Sequence, residues 1–123
     1  MPDLRITVDG RELAADWTDA NPETRAAIAD ELPLEGEAAR WGEELYFDVS
    51  VEVADENTRE EVPVGAVAYW PAGPALCLFW GPTPASQGEE PRAASPVAVV
   101  AELDDVSALS EIDGGVHVRV EED

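Results

Sequence analysis

Residues Gly65–Pro84 read GAVAYWPAGPALCLFWGPTP, and this stretch decides the class of fold. Val67 and Tyr69-Trp70 run into Pro71-Ala72-Gly73-Pro74, a concentration of turn formers that reverses the chain. Ala75–Trp80 follows as an unbroken apolar run, short enough to be a strand covered on both faces. Beyond it, residues 81–96 are rich in Gly, Pro, Ser and Gln and form the longest irregular connection. A loop of that size in a small domain points to function.

Upstream, residues 55–61 are polar and acidic and predict a surface loop. Before them Leu45, Phe47, Val49, Val51 and Val53 alternate with Tyr46, Asp48, Ser50 and Glu52, which predicts a long strand with one wet face. Asn21 is placed to cap a helix, Pro22 suits its first position and Glu23 its positive end. That helix carries Ala27, Ile28 and Leu32 on one stripe and stops before Pro33. The chain opens with a hairpin: Leu4, Ile6 and Val8 alternate with polar residues, Asp9-Gly10 turns, and Leu13, Ala15 and Trp17 return.

Downstream, Val97–Glu102 predicts a strand. Asp104 or Asp105 is placed to cap a short helix bearing Val106, Leu109 and Ile112, which ends at Gly114-Gly115. Val116, Val118 and Val120 close the chain as a strand with His117 and Arg119 on its other face. The tally is seven or eight short strands and two helices without βαβ alternation. The expected sheet is therefore mainly antiparallel and closed or nearly closed.

The chain has 123 residues and a formal charge of −21, with 28 Asp and Glu against seven basic residues. All seven are Arg; there is no Lys. Since 45% of the residues are hydrophobic, a folded domain is expected despite the charge, and the length predicts a single domain over 1–123. Seven scattered Arg cannot build a basic face, so nucleic acid and anionic membrane are excluded as partners. The acids are spread from Asp3 to Asp123 without a block, which predicts a uniformly acidic skin suited to concentrated salt. The single Cys, Cys77, allows no intrachain disulfide and reads as a small buried hydrophobe. The N-terminus lacks a basic start and an apolar core, and no apolar stretch approaches 18 residues. The expected location is a high-salt cytoplasm.

The usual catalytic signatures are missing: there is one His, no Gly-x-Ser-x-Gly, no phosphate-binding Gly-rich loop and no Lys. His117 and Cys77 are too few for a zinc site, and no metal or cofactor is expected. The aromatic residues stand out instead. All eight fall between residues 17 and 80, seven of them in Trp41–Phe47 and Tyr69–Trp80. A small domain cannot easily bury every ring, so some should line a groove.

The blocks WGEELYF (Trp41–Phe47), GAVAYWPAGPALCLFWGPTP and ASPVAVV (Ala94–Val100) resemble the prokaryotic cyclophilin-like family of small stand-alone domains, in order over nearly the whole chain. The resemblance implies a closed eight-stranded antiparallel barrel with a helix covering each end. It also places Trp41, Glu43, Tyr46, Tyr69, Trp70, Pro71 and Phe79 in or near a groove that takes a small molecule or short peptide. Glu43 sits within the aromatic stretch, where burial would raise its pKa. An alternative is a peptidyl-prolyl isomerase acting on a proline-containing peptide. That chemistry needs a donor beside an apolar pocket, and Arg40 and Arg92 are the candidates, with Glu43 as a candidate acid. The Phe-His-Arg motif of true cyclophilins is absent. A third reading is a non-catalytic interaction subunit.

Overall fold

Alternation at the N-terminus produces what it predicts. In the computed structural model, which describes residues 2–123, β1 (Leu4–Val8) and β2 (Arg11–Trp17) pair around the Asp9-Gly10 turn. Both turn residues adopt positive φ. The helix α1 (Pro22–Glu31) follows, with Ile28 packed into the core. Asn21 does not cap it. The Asn21 side chain bridges instead, donating to the Val99 carbonyl and accepting from the Asn57 amide. The free amides of Glu23 and Thr24 are taken by the Glu56 carboxylate, delivered from a loop 32 residues away.

The remaining strands are β3 (Leu34–Arg40), β4 (Glu44–Asp48), β5 (Arg59–Glu61), β6 (Ala66–Trp70), β7 (Ala75–Phe79), β8 (Arg92–Leu103) and β9 (Val116–Glu122). Every pairing is antiparallel. The order is β2-β1-β9-β3-β4-β7-β6-β8, and a β2–β8 pairing closes these eight into a hydrogen-bonded ring. The closing seam sets Ala15 opposite Leu103, Asp16 opposite Glu102 and Trp17 opposite Ala101. The ninth strand, β5, lies outside the ring against the start of β8.

Alternation along the strands sorts side chains into two cores. Leu45, Phe47, Val67, Tyr69, Leu76 and Leu78 face the inside of the ring, with Leu4, Ile6, Val118 and Val120. Ala66, Ala68, Cys77, Phe79, Val97 and Val99 face outward into a smaller core. Ala93 and Val62 cover that outer core from the β5–β8 flap. Thus β7 is buried on both sides, as its apolar run predicts. A bulge in β8 pairs Val67 with Ala101 but Ala68 with Val99, leaving Val100 extra. The faces switch there: Val99 is in the outer core, whereas Ala101 and Leu103 are in the inner one.

Beyond the Asn21 cap, several expectations are corrected. Residues 34–40 carry no strand pattern, yet they form β3, paired to β9 over five positions. The surface loop expected over residues 55–61 holds the exposed strand β5 at Arg59–Glu61. The long strand to Val53 stops at Asp48, although Val51 stays buried and accepts a 2.6 Å hydrogen bond from the Tyr69 hydroxyl. The strand expected over Val97–Glu102 begins at Arg92, which shortens the preceding loop. The second helix is a single 3₁₀ turn, Leu109–Glu111. Among the described residues, no helix is long and apolar enough to cross a membrane.

Candidate functional site

The outer core is incomplete at one end, and the gap is a pocket of about 290 Å³. Trp41, Glu44, Tyr46, Trp70, Cys77, Ala93, Ala94 and Val97 line it. Period-two geometry explains the set. Glu44 and Tyr46 share the outward face of β4, and Cys77 lies directly across from Tyr46 on β7. Trp70 ends β6 on the same side, while the alanines and Val97 come from β8.

The aromatic walls are held from behind. Trp70 donates its indole N–H to Ser95 Oγ. Gly73 leaves room for that ring, since a Cβ there would sit 2.9 Å from Cζ3. Trp41 precedes Gly42, whose φ of +61° and tight seat against Thr83 demand glycine. The Glu43 amide then donates to the Pro82 carbonyl, and the Trp80 amide to the Glu43 carbonyl. The loop over 81–91 is equally fixed: Thr83 and Ser86 bond one another, and the Glu90 carboxylate accepts from the Gln87 and Gly88 amides at 2.8 Å. These amides, with Arg92, pull the Glu90 pKa down to about 2.

Glu44 is the one carboxylate on the pocket wall. It is 5% exposed, and burial pushes its pKa up to about 7, against the opposing effect of a hydrogen bond from the Cys77 thiol. Burial and the adjacent carboxylate push the thiol's own pKa well up, so Cys77 stays protonated and is no nucleophile. Among the described residues, no cation neutralises Glu44. Six of the seven Arg pair with other carboxylates, and Arg59 donates to the Glu61 carbonyl.

Of the residues expected in the groove, the structure brings together Trp41, Tyr46 and Trp70. Tyr69 faces the inner core, and Phe79 is fully buried in the outer core beneath the pocket. Pro71 is half-buried in the β6–β7 turn. Glu43 turns away from the pocket to pair with Arg40 at 3.2 Å. Arg40 is saturated, donating also to the Gly42 and Ile112 carbonyls at 2.8 Å and stacking over Trp80. Arg92 is held by Glu90, Glu61 and Glu60. Neither Arg lines the pocket. Glu44 takes the place expected of Glu43, and the signal was in the sequence: the acid sharing a strand face with Tyr46 is two residues before it, not three. Among the described residues no group of three or more His, Cys, Asp and Glu could hold a metal.

An antiparallel ring with a second core and an aromatic pocket on its outer face defines a small β domain whose candidate site lies on the sheet rather than inside it. The chain belongs to the Cyclophilin-like family, which it matches over residues 2–121. Among solved structures it is similar to the hypothetical protein AF2241 from Archaeoglobus fulgidus, studied in solution. The two are 39% identical with a TM-score of 0.80, over 99% of this chain and 95% of that one. No curated protein matches it.

Proposed function

We propose that the protein is a closed cyclophilin-like barrel that binds a small organic molecule in its outer pocket. Trp41, Tyr46 and Trp70 supply the contact area, and Glu44 orients the ligand. The observation that carries this reading is the union of an apolar wall with one buried carboxyl that, among the described residues, no Arg or His neutralises. Ligand sites characteristically combine a hydrophobic lining with a few placed polar groups, and this one lies at the small end of their range of roughly 300–1,000 Å³. Prolyl isomerisation gains no support from the geometry, because Arg40 and Arg92 are both committed elsewhere.

A fragment panel followed by amide and indole NMR shifts tests the reading. Shifts should concentrate at Trp41, Tyr46 and Trp70, and Trp41→Ala should remove them while leaving a cooperative melt. Shifts confined to the polar concavity formed by Leu32, Pro33, Arg119, Glu121 and Glu122 would place binding elsewhere.

A further inference from the structure

The wall chemistry of the same pocket narrows the ligand class, an inference that rests on the binding reading above. We propose that the occupant is an organic cation of the methylated or alkylated ammonium type, seated among Trp41, Tyr46 and Trp70 with its charge against Glu44.

Glu44 is the one carboxylate on the wall, and no basic side chain joins it. The counter-charge must therefore come from a proton or from outside the chain. The remaining wall is two indoles, a phenol, a protonated thiol and aliphatic carbon. A primary ammonium or a hydrated metal ion would lose several water hydrogen bonds there and regain one or two. A methylated ammonium has few or no N–H groups to satisfy, and its polarised methyls favour the negative faces of aromatic rings. The field of a chain carrying −21 also concentrates cations at its surface.

Binding must follow the ionisation of Glu44, whose pKa burial raises to about 7. The ionisable groups on neighbouring elements do not interfere. From β7 it is met by Cys77, which stays neutral; the Tyr46 phenol shares its strand face. On the β3 side Arg40 and Glu43 engage each other, and from β8 Arg92 turns to Glu90 and Glu61. Affinity should thus fall roughly tenfold as pH drops from about 8 to about 6.

The experiment titrates the full chain, by calorimetry and tryptophan fluorescence in about 2 M NaCl to suppress nonspecific attraction. The probes are choline, its neutral carbon isostere 3,3-dimethylbutan-1-ol, and ethanolamine. Choline should bind at least about tenfold more tightly than either of the others. Glu44→Gln should erase that preference, whereas Glu43→Gln, at the neighbouring acid that pairs with Arg40 off the pocket wall, should keep it. The pH profile of the unaltered chain reads the same dependence without a substitution. If the isostere or ethanolamine matches choline, the cation class is overturned although the pocket still binds. Absence of choline binding overturns it as well, and the fragment panel then decides separately whether the pocket binds anything.

Discussion

At the scale of single residues, Glu44 couples the site to stability. Its carboxyl titrates near 4.5 when the chain is unfolded and near 7 when folded, so the folded state holds an extra proton between those values. Stability from this group is therefore greatest below about pH 4.5 and declines as pH rises through 7, by about 3 kcal/mol at 1.36 kcal/mol per unit. Glu44→Gln should remove the decline and leave the variant more stable than the parent at pH 8. Urea unfolding of both proteins at pH 5 and pH 8 measures it; parallel behaviour across that range would mean that Glu44 ionises freely. The residue scale is also where the sequence was hardest to read. Glu43 and Glu44 are chemically identical neighbours, and one step of strand register decides which is buried. Tyr69 and Trp70 pose the same problem: the first enters the inner core, the second borders the pocket.

At the scale of elements, the strands written in β-branched and aromatic residues were legible, because alternation of burial leaves a period of two in the sequence. β3 was not. Its segment, LEGEAAR, has no β-branched residue, and β9 and β4 on either side hold it in the sheet. The opposite failure occurs after Asp48, where Val49, Val51 and Val53 keep their spacing and pack on the inner core without a ladder partner. Periodicity reports which way side chains face, not whether the backbone is paired. The turn joining β3 to β4 offers a sharper test. Gly42 has φ +61° and a Cβ there would lie 2.7 Å from Thr83 Cα; Gly115 has φ +75° and open space around it. Gly115→Ala should cost about 1–2 kcal/mol, the left-handed penalty alone. Gly42→Ala should cost that plus about 1–3 kcal/mol of overpacking, and should displace Trp41. Equal losses in denaturant melts would show that the 82–84 loop yields without resistance.

At the scale of the whole molecule, the charge becomes a surface density. The folded chain exposes 5944 Å². Its excess charge of −21 then amounts to about one per 280 Å², a spacing of roughly 17 Å, against a screening length of about 10 Å at 0.1 M salt and about 3 Å at 1 M. We expect the melting temperature to rise substantially between about 0.1 and 2 M NaCl as this repulsion is screened. The joins of the ring are not equally exposed to it. β9 meets its neighbours with opposite charges aligned, Arg5 with Glu121 and Arg119 with Glu35, whereas the closing seam opposes Asp16 to Glu102. Glu102→Arg should therefore recover a small part of the salt effect already at 0.1 M, and much less at 2 M. A gain that ignores salt concentration would count against like-charge repulsion at the seam.

That seam has a consequence for association between molecules. While the ring is closed, each of its eight strands has a hydrogen-bonded neighbour on both sides, and β5 outside it is a strand of only three residues. Parting β2 from β8 would create two unpaired edges at once, the geometry through which sheets add to one another. The acids that strain the seam in dilute buffer also line both edges it would release, Asp16 on one and Glu102 on the other. The charge that weakens the closure thus also guards against edge-to-edge growth, and it loses both effects together as salt rises.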